Sequence, residues 1–389
     1  MTAFALTEAQ RDFADQVRSI AADELRPLAE AGAPGHVNRE LIKAMGEFGL
    51  LPRLFPGIGA LSLSREAAAT DLCLLREALA TQSTEAETAL ALQGLGAYPI
   101  LQSGPEDTVR RWLPAVAAGD AVAAFALTEP EAGSDAAALS LRAEADGDGW
   151  RLTGEKTWIS NAPEADVYTV FARTTPGAGA RGVSAFAVPG DRPGLGGEHL
   201  DMISPHPIGR LTFDGVRVDR TELLGEPDRG FRVAMRTLDL FRPSVGAFAV
   251  GMAQAALDAA VRHAGSRTAF GGPLKDQQAV AHLLAEMATR TEAARLLVYA
   301  AAAAYDASEE GAGGAQATRG VITAKSAMAK LFATEAAQFV VDAAVQIHGA
   351  RALRQGHLLE HLYREVRAPR IYEGASEVQR SIIARELYR

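Results

Sequence analysis

Between about residues 125 and 220 the chain breaks into short alternating segments, and on either side of that region it does not. WRLTGEKTWIS, DVYTVFART, VSAFAVPG and GRLTFDGVRV lie between Gly, Pro and Asp, the pattern of half-buried or core strands. DGDG at 146–149 predicts a hairpin turn. Short strands at this spacing favour a small barrel or sandwich over a parallel sheet. Residues 1 to about 124 read as helical. Thr7 to Gln10 forms a capping box, with Phe13, Val17, Ile20 and Leu25 following at roughly helical spacing. Further helices are expected near 38–50, 65–80, 85–102 and 106–118, with a loop at 53–62. From about 228 the helical pattern returns in long Ala-rich segments at about 230–266, 275–308, 316–347 and 357–367, then a last helix, enough for a bundle. AAAAYDASEEGAGGAQA (301–317) marks a helix end and a loop.

At 389 residues the chain exceeds one ordinary domain. No apolar run approaches the roughly 20 residues of a membrane span, and the start, MTAFALTEAQRDFADQ, has neither a basic opening nor a cleavage site. A cytoplasmic protein is the expectation. The single cysteine, Cys73, excludes an internal disulfide framework and a CxxC pair, and is expected to fill an apolar site. A net charge of −9 argues against a general nucleic-acid binder.

Two apparent motifs fail on context. Gly177–Gly182 reads GxGxxG, but a dinucleotide fold needs a helix directly afterwards, and VSAFAVP is a strand. His357–His361 reads HxxEH, yet a catalytic zinc needs a third protein ligand, and no acidic partner stands out; a solvated helix face is the reading, and no metal is expected. His348 reads as a helix-end residue, and neither GxSxG nor a P-loop occurs. What remains is polar and clustered. FALTEPEAGSD places Thr128, Gly133, Ser134 and Asp135 where helix is expected to give way to strand, with hydroxyls and backbone N–H groups suited to a flavin edge or a phosphate. KTWISNA offers Trp158 and, at i+2 on the same strand face, Ser160. Near the end, Ser376 and Gln379 read as a capping box, so Glu373 stands on the turn just ahead of a helix, followed by Gly374.

Taken together and in order, LTEAQRDF, FALTEPEAGSD, KTWISN, FRPSVGAFAVGMAQAALD, SRTAFGGPLKDQQAV, AAQFVVDAAVQIHGA and RIYEGASEVQ resemble the acyl-CoA dehydrogenase family along nearly the whole chain. The resemblance implies an N-terminal α-helical domain (1–124), a middle β-barrel or sandwich domain (125–227) and a C-terminal four-helix bundle (228–389), assembled as a homo-oligomer, usually a tetramer. It implies FAD between the β-domain and the bundle. Phe125, Leu127, Thr128, Gly133 and Ser134 match the first flavin-binding stretch, and Trp158 and Ser160 the second. Arg267, Phe270, Gln278 and the Gln346–Gly349 stretch match residues holding the adenine half and pyrophosphate, partly from a neighbouring subunit. Ala375 and Glu377 occupy further cofactor positions. Ser134 and the Asp239–Arg242 stretch, Phe241 included, match CoA- and thioester-facing positions. Arg242, read as lying at a buried helix start, is equally an ion-pair anchor.

Glu373 matches the family's catalytic base, which takes a proton from Cα of an acyl thioester while hydride leaves Cβ for flavin, giving a trans-2-enoyl thioester. An apolar pocket raises a glutamate's pKa and improves it as a base. Hydrogen bonds from the base's own backbone N–H and a ribityl hydroxyl stabilise the enolate, and Gly374 lets the backbone approach the thioester. One family branch carries its base just before the bundle arginine; Phe241 stands there and accepts no proton. Ala269 and Ala375 replace threonines common in the family, Ala350 and Ala352 replace glycines, and Glu377 replaces a glutamine. The loop at 53–62 lacks the family's acidic-aromatic-Gly-Gly pattern. Electron-transferring flavoprotein is the implied acceptor. Three rivals remain: an acyl-carrier-protein (acyl-ACP) substrate, an oxidase, and a non-catalytic or DNA-binding relative suggested by LYREVRAPR.

Overall fold

A computed structural model describes residues 6–56, 68–309 and 316–388, apart from the side chains at 308, 309 and 316–319. The N-terminal helices are α1 (Glu8–Ile20), α2 (Arg26–Ala31), α3 (Arg39–Glu47), α4 (Ala69–Ala80), α5 (Thr84–Ser103) and α6 (Glu106–Ala117). The strands are β1 (Ala123–Ala126), β2 (Arg142–Asp146), β3 (Gly149–Ser160), β4 (Val167–Arg173), β5 (Val183–Pro189), β6 (Leu195–His199), β7 (Ile208–Val218), β8 (Thr268–Ala269) and β9 (Gly272–Pro273). The C-terminal helices are α7 (Gly230–Ser266), α8 (Gln278–Glu309), α9 (Gln316–His348), α10 (Leu358–Glu365) and α11 (Ser376–Glu386).

The chain separates into two compact units. One gathers Met1–Glu24, Ala68–Glu87 and Asp239–Arg389; the other gathers Leu25–Ala67 and Thr88–Leu238. The α–β–α order expected from the sequence is present. The second unit carries a seven-stranded sheet in the order β1-β4-β2-β3-β7-β6, with β5 on β4. Its pairings are antiparallel except β1 and β2 on β4. The expected hairpin joins β2 to β3, Asp146 opposite Gly149, with Gly147 at φ 66. Strands β1, β2 and β6 were not among the sequence expectations; β1 and β2 are short, and β6 is Gly-rich and exposed, so none shows a clear period. Within this unit α5 lies close to β1, because a Cβ on Gly96 would sit 2.5 Å from the Ala124 nitrogen. Thr169 donates to the Gly96 carbonyl at 2.7 Å.

In the first unit α8 packs along α9, and α9 also carries α10 and α11. α7 has a window apolar enough to cross a membrane, contrary to the reading of the sequence. That window is 78% buried inside the protein, as in the core helix of a bundle. Cys73 is buried on α4, where burial pushes its thiol pKa up, consistent with an apolar filler.

Several local readings change. The Thr7 capping box is present in both directions, but Ser376 is not an N-cap: α11 begins at Ser376, Ala375 is the cap, and the Ser376 hydroxyl donates to Glu335 instead. FALTEPEAGSD leaves a strand, not a helix, since α6 ends at Ala117 and β1 follows. Arg242 lies inside α7, which continues through Pro243. Leu51–Leu54 is a 3-10 turn, and residues 57–67, with most of the expected 53–62 loop, lie outside the described residues, as does 310–315 in the expected Ala/Gly loop. Gly179–Gly182 is a short 3-10 turn opening into β5, so the GxGxxG reading fails as expected.

Candidate active site

Glu373 sits between the turn Ala368–Arg370 and α11. Its φ is 52 and that of Gly374 is 94, two successive left-handed residues. For a glutamate that backbone costs about 1–2 kcal/mol, so the surroundings must impose it. They do so through the carbonyls. The Gln379 Nε2 amide donates to the carbonyls of Glu373 at 3.1 Å and Gly374 at 2.9 Å. Lys330, fully buried on α9, donates from Nζ to the Gly374 carbonyl at 2.8 Å. Arg242 Nε donates to the Glu373 carbonyl at 3.4 Å. Any other residue at Gly374 is strained at φ 94, and its Cβ, 2.5 Å from Gln379 Nε2, would displace that amide from the turn. Below the turn, Glu335 accepts from Ser376 Oγ at 2.6 Å and pairs with Arg370 at 2.9 Å, tying α9 to the start of α11.

The side chain is treated differently from its backbone. Glu373 Oε2 is buried and has no hydrogen-bond partner. Burial pushes the carboxyl pKa above its ordinary range, against the opposing fields of Arg76, Lys330 and Arg242. Lys330 is pushed down to about 8 by the same burial, with the negative charge of Glu373 resisting. Arg76 on α4 is a second buried cation: its Nε pairs with Glu87 and Nη1 donates to Ser244 Oγ at 2.7 Å. Ser244 in turn donates to the Phe241 carbonyl at 2.7 Å. A carboxylate with one buried, unpartnered oxygen on a strained turn, its pKa raised by burial against the fields of three cations, is suited to accept a proton.

Of the residues singled out in the sequence, Asp239, Arg242, Glu373 and Gly374 come together: Arg242 pairs with Asp239 at 3.2 Å and reaches the Glu373 carbonyl. Phe241 is buried beside them in the chain at 2% exposure. Arg267, Phe270, Gln278, Gln346, Gly349 and Glu377 are exposed in the same unit, with Phe270 93% exposed at the tip of the β8–β9 hairpin at φ 54. Ala375 is half-buried. In the sheet unit, Leu127 is buried, Phe125 and Thr128 half-buried, and Gly133 and Ser134 exposed. Trp158, at φ 57 in a bulge of β3, turns its indole out to 54% exposure. Ser160 Oγ hydrogen-bonds His206 Nε2 at 2.9 Å, and burial holds His206 down at about 4, so the ring is neutral. Behind this face the buried Lys156 Nζ ties the Leu127 carbonyl to Glu129, each at 2.8 Å.

Sequence reasoning missed Arg76, Glu87, Lys330 and His206, and placed Gln379 in a capping box when it holds the Glu373 and Gly374 carbonyls. A signal existed for the first three: charges inside the apolar runs LCLLREAL, TEAETALAL and SAMAKLFA fall on buried helix faces. The HxxEH histidines part company, His357 capping α10 and His361 Nε2 lying 2.6 Å from Thr84 Oγ1.

Three family models cover the chain in order: the acyl-CoA dehydrogenase N-terminal domain over 7–120, the middle domain over 124–216 and the C-terminal domain over 228–388. The chain is 37% identical to the probable acyl-CoA dehydrogenase FadE25 of Mycobacterium tuberculosis, over 99% of its own length and 97% of that protein. It is 37% identical to the mitochondrial short-chain specific acyl-CoA dehydrogenase of Bos taurus, over 98% of its own length and 90% of that protein. Among solved structures, butyryl-CoA dehydrogenase from Megasphaera elsdenii superposes with a TM-score of 0.89 at 33% identity, covering 99% of this chain and 100% of that one. The chain belongs to the acyl-CoA dehydrogenase family. It is accordingly a flavoprotein oxidoreductase that acts on acyl-CoA and uses FAD.

Proposed function

We propose that Glu373 removes the α-proton of a short-chain, branched or cyclic acyl-CoA, which leaves as the trans-2-enoyl thioester. The observation that carries this reading is the buried, partnerless Glu373 Oε2 on a turn whose two carbonyls are held by Gln379, Lys330 and Arg242. Those contacts hold the turn without substrate, and in this reading the Glu373 backbone N–H donates to the thioester oxygen. Burial keeps the carboxyl basic, and the surrounding cations keep it ionisable. The products balance: the α-proton goes to Glu373, and Cβ loses hydride as the double bond forms.

The residues present suit FAD. Trp158 and Phe270 present flat aromatic surfaces, and a Cβ on Gly133 would meet nothing within 4 Å, leaving room for a close approach to backbone. Phe125, Leu127, Thr128, Gly133, Ser134, Trp158 and Ser160, and Arg267, Phe270, Gln278, Gln346, Gly349, Ala375 and Glu377, are the residues that would hold it, by the family resemblance. When bound, FAD supplies the acceptor for the hydride. Phe241, bulky and buried one residue from Arg242, supports the preference for compact acyl groups, as does the likeness to short-chain and butyryl enzymes. Asp239, Arg242, Ser134 and Gly374 complete the substrate contacts. A homotetramer, re-oxidation by electron-transferring flavoprotein, a cytoplasmic location and domain limits at 124 and 227 belong to the same proposal.

The test is anaerobic bleaching of the bound flavin by a panel of acyl-CoAs and by the same acyl groups on acyl-carrier protein. Fastest reduction by four- to six-carbon or branched acyl-CoAs is expected. Faster reduction by palmitoyl-CoA, or by the carrier-protein thioesters, refutes the substrate reading.

A further inference from the structure

Within the sheet-bearing unit, three segments distant in sequence bring together two imidazoles and a carboxylate. His36 lies in the loop between α2 and α3, Glu164 in the turn after β3, and His199 at the end of β6. His36 Nδ1 is 2.8 Å and His199 Nε2 is 3.2 Å from the same oxygen, Glu164 Oε1. One ligand atom from each residue lies within 4.8 Å of the others, and the two rings are tilted at 56° with centroids 4.4 Å apart.

The carboxylate is fixed from behind. Its other oxygen, Oε2, accepts from the Val37 backbone N–H at 3.3 Å. The Glu164 carbonyl accepts from Arg39 Nη2 at 2.8 Å, and the Arg39 charge is itself matched by Asp166 at 2.8 Å. Oε1 is thereby aimed at both rings. Nothing in the acyl-CoA chemistry uses this group.

We propose that His36, Glu164 and His199 form a binding site for one divalent transition-metal ion of the zinc class. Ligands about 2.0–2.1 Å from a tetrahedral zinc lie about 3.3 Å from one another, so the separations seen require only small side-chain adjustment. Two imidazoles and one carboxylate favour zinc and its neighbours over magnesium or calcium, which take oxygen donors. Neutral rings ligate after their N–H protons shift to the opposite ring nitrogens, and water completes the fourth position. His36 is 52%, His199 36% and Glu164 28% exposed, so the ion enters from solvent without unfolding. A bound ion pins the α2–α3 loop to the sheet and stabilises the folded chain by mass action.

The experiment titrates zinc chloride into metal-free, full-length holoprotein by calorimetry, with thermal unfolding measured in parallel. One ion per chain is expected, with a zinc-dependent rise in Tm. His36→Ala, His199→Ala and Glu164→Gln should each weaken binding by at least about the 10–100-fold lost when a mere outer-shell partner of a metal is removed. Their Tm in EDTA and their flavin absorbance should match the wild type, which shows that the variants fold. Three results would overturn the site. One is no zinc binding by the wild type. Another is binding that survives all three substitutions and is lost instead in His348→Ala, in the separate His263–His348–His357 group. The last is a wild-type Tm that zinc does not alter.

Discussion

Replacing Lys330 by Met tests whether the turn that carries Glu373 is held by a buried charge. The substitution roughly conserves length and volume, and removes the donor that lies 2.8 Å from the Gly374 carbonyl. A hydrogen bond from a charged donor contributes about 1.5–3 kcal/mol, while the left-handed backbone at Glu373 costs about 1–2 kcal/mol. Gln379 remains on both carbonyls and Arg242 on one, so the turn is weakened but not released. A loss of about 1.4–2 kcal/mol shifts the balance between held and released turn about 10- to 30-fold toward the released one. Anaerobic stopped-flow reduction of the flavin by butyryl-CoA should slow, by at most that factor. The pH profile should change at both ends. Glu373 must be ionised to act, so the rate falls as pH drops through its raised pKa; losing the Lys330 charge, which opposes that rise, moves the acid limb still higher. Lys330 itself, held down at about 8, loses its proton above that pH in the wild type. The resulting alkaline decline should be absent from Lys330→Met. Wild-type rates with both limbs unmoved would refute the clamp. A slower rate with unmoved limbs would reduce Lys330 to a packing residue.

Glu373→Gln should fold, bind FAD and bind substrate, yet reduce its flavin at least about 10²–10⁴-fold more slowly; near wild-type reduction places the base elsewhere. The same variant should raise Tm at neutral pH. A carboxyl whose folded pKa lies above its unfolded value near 4.5 contributes stability below that pH and loses it as pH rises through the folded pKa, so the gain should vanish in acid. Gly374→Ala should cost activity even if the chain folds, because a Cβ at φ 94 also displaces the Gln379 amide; unchanged flavin reduction contradicts that. Glu87→Met, which strands the buried Arg76, should destabilise the protein by about 3–5 kcal/mol in thermal or urea unfolding, and a change under 1 kcal/mol would show the pair to be dispensable.

Much of the fold was legible in local pattern. The helices α7, α8 and α9 were legible as long Ala-rich runs, and the strands β3, β4, β5 and β7 as short β-branched and aromatic segments bounded by Gly, Pro and Asp. Glu373 on a turn ahead of a helix was legible as well, from the Ile-Tyr-Glu-Gly-Ala-Ser run. The capping box beside it was misread for a reason that is not local: Ser376 has a better acceptor in Glu335, on another helix.

By itself, then, the amino-acid order determined the α–β–α succession of helical and strand regions, the family and the residue proposed as the base. Only the tertiary structure decided which groups surround that residue. Arg76, Lys330, Arg242 and Gln379 come from α4, α9, α7 and α11, and they meet at Glu373 through packing, not through spacing along the chain. Packing also sets the carboxyl pKa of Glu373: burial raises it, the fields of Arg76, Lys330 and Arg242 oppose the rise, and both depend on distance in space. His36, Glu164 and His199 follow the same rule. No spacing in the sequence relates them, and one carboxylate oxygen joins them once the loop and the two strand ends are folded together.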